Sequence, residues 1–433
     1  MNTETVQNAQ GNTKSQPVPP TTFGGKLKTV GPGFVTAATG VGTGDLIAAL
    51  VAGAAFGMTY GWAILLGSIL KFYLTEGMGR WHLATGSTML EGWRSLGKWA
   101  TGYFGVYSIL WGFSYGAAAM STSALMMYTM FPVMPLWAWA IIHGLAGFIL
   151  VWTGRYGFFE KIMIFLIGVM FITVVGSAIL VAPDVGNLFS GLLIPRIESG
   201  SLLLVLGLLG GVGGTITMAS YGYWLQQKNW RGKGWVPMMR VDSAVGYGIT
   251  ALFTLSLLIV GAEFLFGSGV EIKGEEGLVT LATLFAADFG SFAKWMFLIG
   301  AWSAAFSSLL GVWNGVPYLF ADFVRIVRKK KNDADERAEK PVSQKDLAYR
   351  FYLCWLTFPP MLLLFFGKPV AIVIIYGALG ALFMPFLAIS LLWLLNSNRI
   401  DKDYQNGWVT NSVLTGCVLL FAYLGVMKLI DMF

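Results

Sequence analysis

The chain has 433 residues, of which 56% are hydrophobic and only 12% charged, and its mean hydropathy is +0.66. A soluble domain carries ~25% charge, so most of this surface meets lipid rather than water. Two cysteines (Cys354, Cys417) and two histidines (His82, His143) exclude a disulfide framework and a His/Cys metal cluster.

Residues 1–25 are rich in Gln, Thr and Pro, lack an apolar stretch, and read as a disordered cytoplasmic tail. After them, apolar runs of about 20 residues recur, each long enough to cross ~30 Å of hydrocarbon. Lipid leaves backbone polar groups unsatisfied, so spanning segments are helices or closed barrels, and these runs are too long and too continuously apolar for barrel strands. Eleven helices are predicted, at 29–57, 62–79, 99–120, 134–153, 160–182, 202–227, 243–266, 294–323, 350–366, 369–395 and 409–430.

The first span carries Thr39-Gly40-Val41-Gly42-Thr43-Gly44-Asp45. Glycine weakens a helix by ~1 kcal/mol relative to alanine, so this run predicts an unwound break, provided the freed backbone lines a cavity. Asp45 is either a cation ligand or proton site at mid-membrane, or the N-cap of the helix that resumes after the break. In the second span Lys71, Glu76 and Arg80 lie toward the cytoplasmic end, where snorkelling and mutual pairing account for them. Arg240 and Asp242 read likewise. The sixth span repeats the pattern of the first with Gly210-Gly211-Val212-Gly213-Gly214-Thr215-Ile216-Thr217. Matching interruptions in the first and sixth helices point to a central site shared by two inverted five-helix halves. The eighth span offers Ser303, Ser307 and Ser308, whose hydroxyls can bond back to their own helix. Residues 324–349 form a charged cytoplasmic loop, 26–395 the ten-helix transport core, and 396–433 carry the eleventh helix.

Charge asymmetry orients the chain. Arg80, Arg94, Lys98, Arg155, Lys161, Lys228, Arg231, Lys233, Arg240, the block from Arg325 to Arg350, Arg399 and Lys402 all fall on one side, leaving Arg196, Lys273, Lys294, Lys368 and Lys428 on the other. The positive-inside rule then puts the N-terminus in the cytoplasm and the C-terminus outside, in a multi-pass inner-membrane protein. It also accounts for the +7 formal charge, including Arg328–Lys331, without a nucleic-acid partner. No oligomer is required, and no nucleophile–base pair indicates an enzyme.

Several motifs carry a family resemblance. Gly31-Pro32-Gly33-Phe34-Val35, Ala52-Gly53-Ala54-Ala55-Phe56-Gly57, Ala84-Thr85-Gly86, Gly214-Thr215-Ile216 and Pro385-Phe386 together resemble the Nramp metal-ion transporters. The resemblance implies an all-α membrane protein of the leucine-transporter-like fold, with two inverted five-helix repeats, broken helices 1 and 6, and an eleventh helix. The metal-binding motifs depart from it. The family's Asp-Pro-Gly-Asn falls on Gly42-Thr43-Gly44-Asp45, its Met-Pro-His on Thr217-Met218-Ala219, and a helix 10 glutamine on Gly377. Every metal-binding position is changed.

The expected function is secondary active transport of a small inorganic ion across the bilayer. Lost cation ligands and gained amide and hydroxyl donors favour a small oxyanion such as bicarbonate, held by Thr39, Gly42, Thr43, Gly44, Asp45, Gly214, Thr215, Thr217, Ser220 and Gly377. The alternative is a divalent cation, Mg²⁺, Mn²⁺ or Fe²⁺, with Asp45 as a relocated ligand. No cofactor is expected beyond a coupling ion, Na⁺ or H⁺; the resemblance permits a sodium site where Ser303, Ser307 and Ser308 of the eighth span face the first helix.

Overall fold

The computed structural model describes residues 3–4, 16–153, 156–328 and 342–430. Most of the N-terminal tail, Arg155, the run 329–331 and much of the 324–349 loop lie outside the described residues. Within the tail, Thr3–Glu4 pairs antiparallel with Gln16–Pro17, and Phe23–Thr29 is a short helix capped by the Thr22 hydroxyl.

The first predicted span is two helices, α1 (Pro32–Gly40) and α2 (Thr43–Phe56), separated at residues 41–42. Then follow α3 (Gly61–Thr85), α4 (Lys98–Met130), α5 (Leu136–Trp152) and α6 (Tyr156–Val181). The sixth span is also divided. It comprises α7 (Leu202–Gly211), an irregular stretch, a 3-10 turn over Ile216–Ser220, and α8 (Tyr221–Gln227). Next come α9 (Val236–Leu265), α10 (Glu275–Arg328), α11 (Leu347–Thr357), α12 (Pro369–Ala381), α13 (Phe383–Leu395) and α14 (Trp408–Ile430). All eleven predicted segments fall on helix.

Three differences from the expected pattern have local causes. The eighth span begins about one-third of the way along a longer helix, because Gly290 (φ 83°) kinks α10 rather than ending it. The tenth span is two helices meeting at Leu382. The helix over Met89–Leu96 has a full capping box, in which the Glu91 amide donates to the Thr88 hydroxyl and the Thr88 amide to the Glu91 carboxylate.

The layers follow from which faces are buried. The broken segment 202–227 is almost wholly enclosed, whereas Trp408–Lys428 is mostly exposed. Along α6, Ile164, Phe165, Ile172 and Ile179 point outward, as do Leu419, Tyr423 and Val426 on α14. Apolar side chains of that size on the outside of a helical bundle match a hydrocarbon solvent. At the centre, α2 packs against α9, α7 against α12, and α10 against both α4 and α6.

Candidate functional site

The two breaks meet at the middle of the bundle. A Cβ added to Gly40 would lie 2.3 Å from the Gly213 carbonyl oxygen, so only glycine allows the two backbones this close. Gly42 turns the chain with φ 133°, a left-handed conformation, and a Cβ there would lie 2.2 Å from the Ala304 carbonyl oxygen of α10.

Asp45 lies in this junction, 1% exposed. It is not the N-cap. Gly42 holds that position, and Asp45 is the third residue of α2. Its carboxylate reaches out of its own helix instead: Oδ2 accepts from the Gly213 amide at 3.1 Å, and Oδ1 is buried with no partner. The cap reading fails because the chain turns three residues earlier, where glycine allows it.

Lys71 also departs from expectation. It does not snorkel toward the cytoplasm. Its side chain is fully buried and enters the second break, where the ammonium donates to the carbonyls of Gly210 (2.8 Å), Val212 and Gly214. All three donors of the ammonium are thereby used, and Asp45 is near enough to act on it electrostatically. A long flexible side chain follows the strongest acceptors within reach, and the carbonyls at the end of α7 carry the negative end of the helix dipole.

The other predicted residues separate into groups. Thr39 bonds back to the Val35 carbonyl at 2.7 Å. Thr43 donates to the Ser308 hydroxyl at 3.3 Å, and Ser308 donates to the Thr39 carbonyl at 3.2 Å, stitching the first break to α10. Ser307 bonds back to Ala304, and Ser303 is buried nearby. The hydroxyls of Thr217 and Ser220 are buried without partners, and Thr215 lies against Tyr107 and Tyr376. Gly44 faces the Tyr376 ring, with 3.1 Å from an added Cβ to the ring edge. Gly214 abuts Gly40 and Thr217, and Gly377 abuts the Gly207 backbone, bringing α12 onto α7.

An aromatic wall was not foreseen. Trp111 stacks on Tyr115 (centroids 4.8 Å), and Tyr115 meets Tyr376 edge-on (5.1 Å) while its hydroxyl donates to the Ser308 carbonyl. The signal lay in the third span, where Tyr107, Trp111 and Tyr115 recur every fourth residue on one face.

His143 accepts from Trp302 at Nε2 and bonds the Trp139 carbonyl through Nδ1. Among the described residues, no group of three or more His, Cys, Asp or Glu is placed to hold a metal ion.

Away from the breaks, polar contacts tie the helix ends together. Glu76 accepts from Arg80 and Arg240, both at 2.8 Å, so the expected pairing holds for Glu76 and Arg80, while Arg240 pairs with Glu76 rather than with Asp242. Asp242 behaves differently, accepting from the Gly31 and Gly33 amides and the Tyr221 hydroxyl, and so fixing the start of α1.

Known proteins resemble the whole chain. The Bacillus subtilis membrane protein YcsG is 24% identical over 92% of this chain and 93% of its own. The divalent metal cation transporter MntH of Caldanaerobacter subterraneus is 24% identical over 65% of this chain and 68% of its own. The manganese transporter of Eremococcus coleocola, solved with an aromatic bis-isothiourea compound, superposes with a TM-score of 0.77 at 16% identity, covering 97% of this chain and 90% of that one. The model of the natural resistance-associated macrophage protein-like family matches residues 33–431, and the chain belongs to this Nramp family, with its leucine-transporter-like fold of inverted repeats and broken first and sixth helices.

Proposed function

We propose that the protein is a secondary transporter working by alternating access, and that its cargo is a hard divalent metal cation bound at Asp45. One observation carries this reading: a carboxylate oxygen, Asp45 Oδ1, is buried without a partner where the two helix breaks meet. A buried ionised oxygen without a hydrogen bond is costly, and a cation is its natural complement. A carboxylate, with the unpartnered hydroxyls of Thr217 and Ser220 in the second break, is a hard oxygen set that suits Mg²⁺ or Mn²⁺ better than softer ions. The likeness to the divalent metal cation transporter MntH of Caldanaerobacter subterraneus supports the same cargo. Asp45 can take a proton when the metal leaves, which makes H⁺ the coupling ion.

The oxyanion reading finds no support among the relatives, and the carboxylate opposes an anion at the same place. What favours it is the pair of unpartnered hydroxyls on Thr217 and Ser220. Calorimetric titration of the purified protein separates the two. The cation reading expects saturable binding of Mn²⁺ or Mg²⁺ that is weakened at least tenfold in Asp45→Asn. Binding of bicarbonate with no response to either metal would replace it.

A further inference from the structure

Lys71 is fully buried in the second break, within electrostatic reach of Asp45, where its charge is costly. A fully buried ammonium in lipid-embedded protein persists only with complete compensation. Here the compensation is three backbone carbonyls, of Gly210, Val212 and Gly214, gathered at one point by the unwinding of the sixth span, with the Asp45 carboxylate acting on it from α2. Three converging carbonyls beside a carboxylate are what a small dehydrated cation needs.

We propose that Lys71 is a tethered occupant of a cation seat, and that it sets specificity by keeping alkali cations out of the second break. The chain supplies its own positive charge on a four-carbon arm from α3. Na⁺ or K⁺ then finds the carbonyls taken, while a divalent cation, with twice the charge, competes for them through Asp45. This last step rests on the cation-transport reading; the seat itself does not.

The test uses the full chain purified in detergent, with thermal unfolding followed in choline, sodium and potassium chloride at equal ionic strength. The wild type is expected to show one midpoint in all three salts. Lys71→Met, which keeps the length and removes the charge, should rise by about 3 °C in Na⁺ or K⁺ relative to choline, increasing with the logarithm of concentration. Lys71→Ala should gain comparable stability from n-propylammonium, which restores the missing atoms. Variants indifferent to all these cations would overturn the proposal. So would variants that cannot be obtained in any of these buffers, since a free cation is proposed to suffice. Failure of the wild type to bind Mn²⁺ alongside an alkali response in Lys71→Met would reject the cargo and keep the seat.

Discussion

Single residues decide whether the two breaks can exist. Gly42 combines a left-handed backbone with a position where an added Cβ would lie 2.2 Å from the Ala304 carbonyl oxygen, so a methyl group there meets strain and overlap together. Gly42→Ala is expected to lose about 2–4 kcal/mol, seen as a lower unfolding midpoint and poor yield of monodisperse protein; an unchanged midpoint would show that the break tolerates a side chain. Glycine clusters are visible in a sequence because their effect on a helix is local, and so the breaks and the unusual carboxylate at Asp45 were legible. The role of Asp45 was not. Whether it capped its helix or reached across to Gly213 depended on a contact 168 residues away.

At the scale of elements, the C-terminal part of α3 and the N-terminal end of α9 are joined through Glu76. Its partners differ in burial: Arg80 is 3% exposed and Arg240 is 55% exposed at the side chain. Glu76→Gln removes the charge opposite a buried guanidinium, which keeps its hydrogen bonds to the Tyr404 and Gln405 carbonyls and to Asn406 Oδ1, and should cost about 3 kcal/mol. Arg240→Ala removes a pair that is largely hydrated and should cost under about 1 kcal/mol. Chemical denaturation of both variants checks the ordering, and equal losses would contradict it. Sequence spacing was enough to pair Glu76 with Arg80, four residues apart on one helix. It misplaced Lys71, five residues before Glu76, because an ammonium on a long arm goes where tertiary structure puts its acceptors. Asp242 was missed likewise: its partners Gly31 and Gly33 are about two hundred residues distant.

For the molecule as a whole, hydropathy gave the span order, since hydrocarbon thickness imposes a length that any lipid-facing helix must satisfy. It did not show the helix over 275–289 that leads into Gly290, which is too short and too acidic to register as a span. The distribution of Lys and Arg predicts a cytoplasmic N-terminus and an external C-terminus. Alkaline phosphatase fused after Phe433 should therefore be active and a green fluorescent protein fused there dark; the reverse would invert the topology.

Uptake of radiolabelled Mn²⁺ into proteoliposomes, driven by an inward proton gradient and compared between wild type and Asp45→Asn, tests the central claim most directly. The account predicts saturable, gradient-dependent accumulation that falls at least tenfold in the variant. Equal uptake by both proteins, or none by the wild type while radiolabelled bicarbonate accumulates, would contradict it.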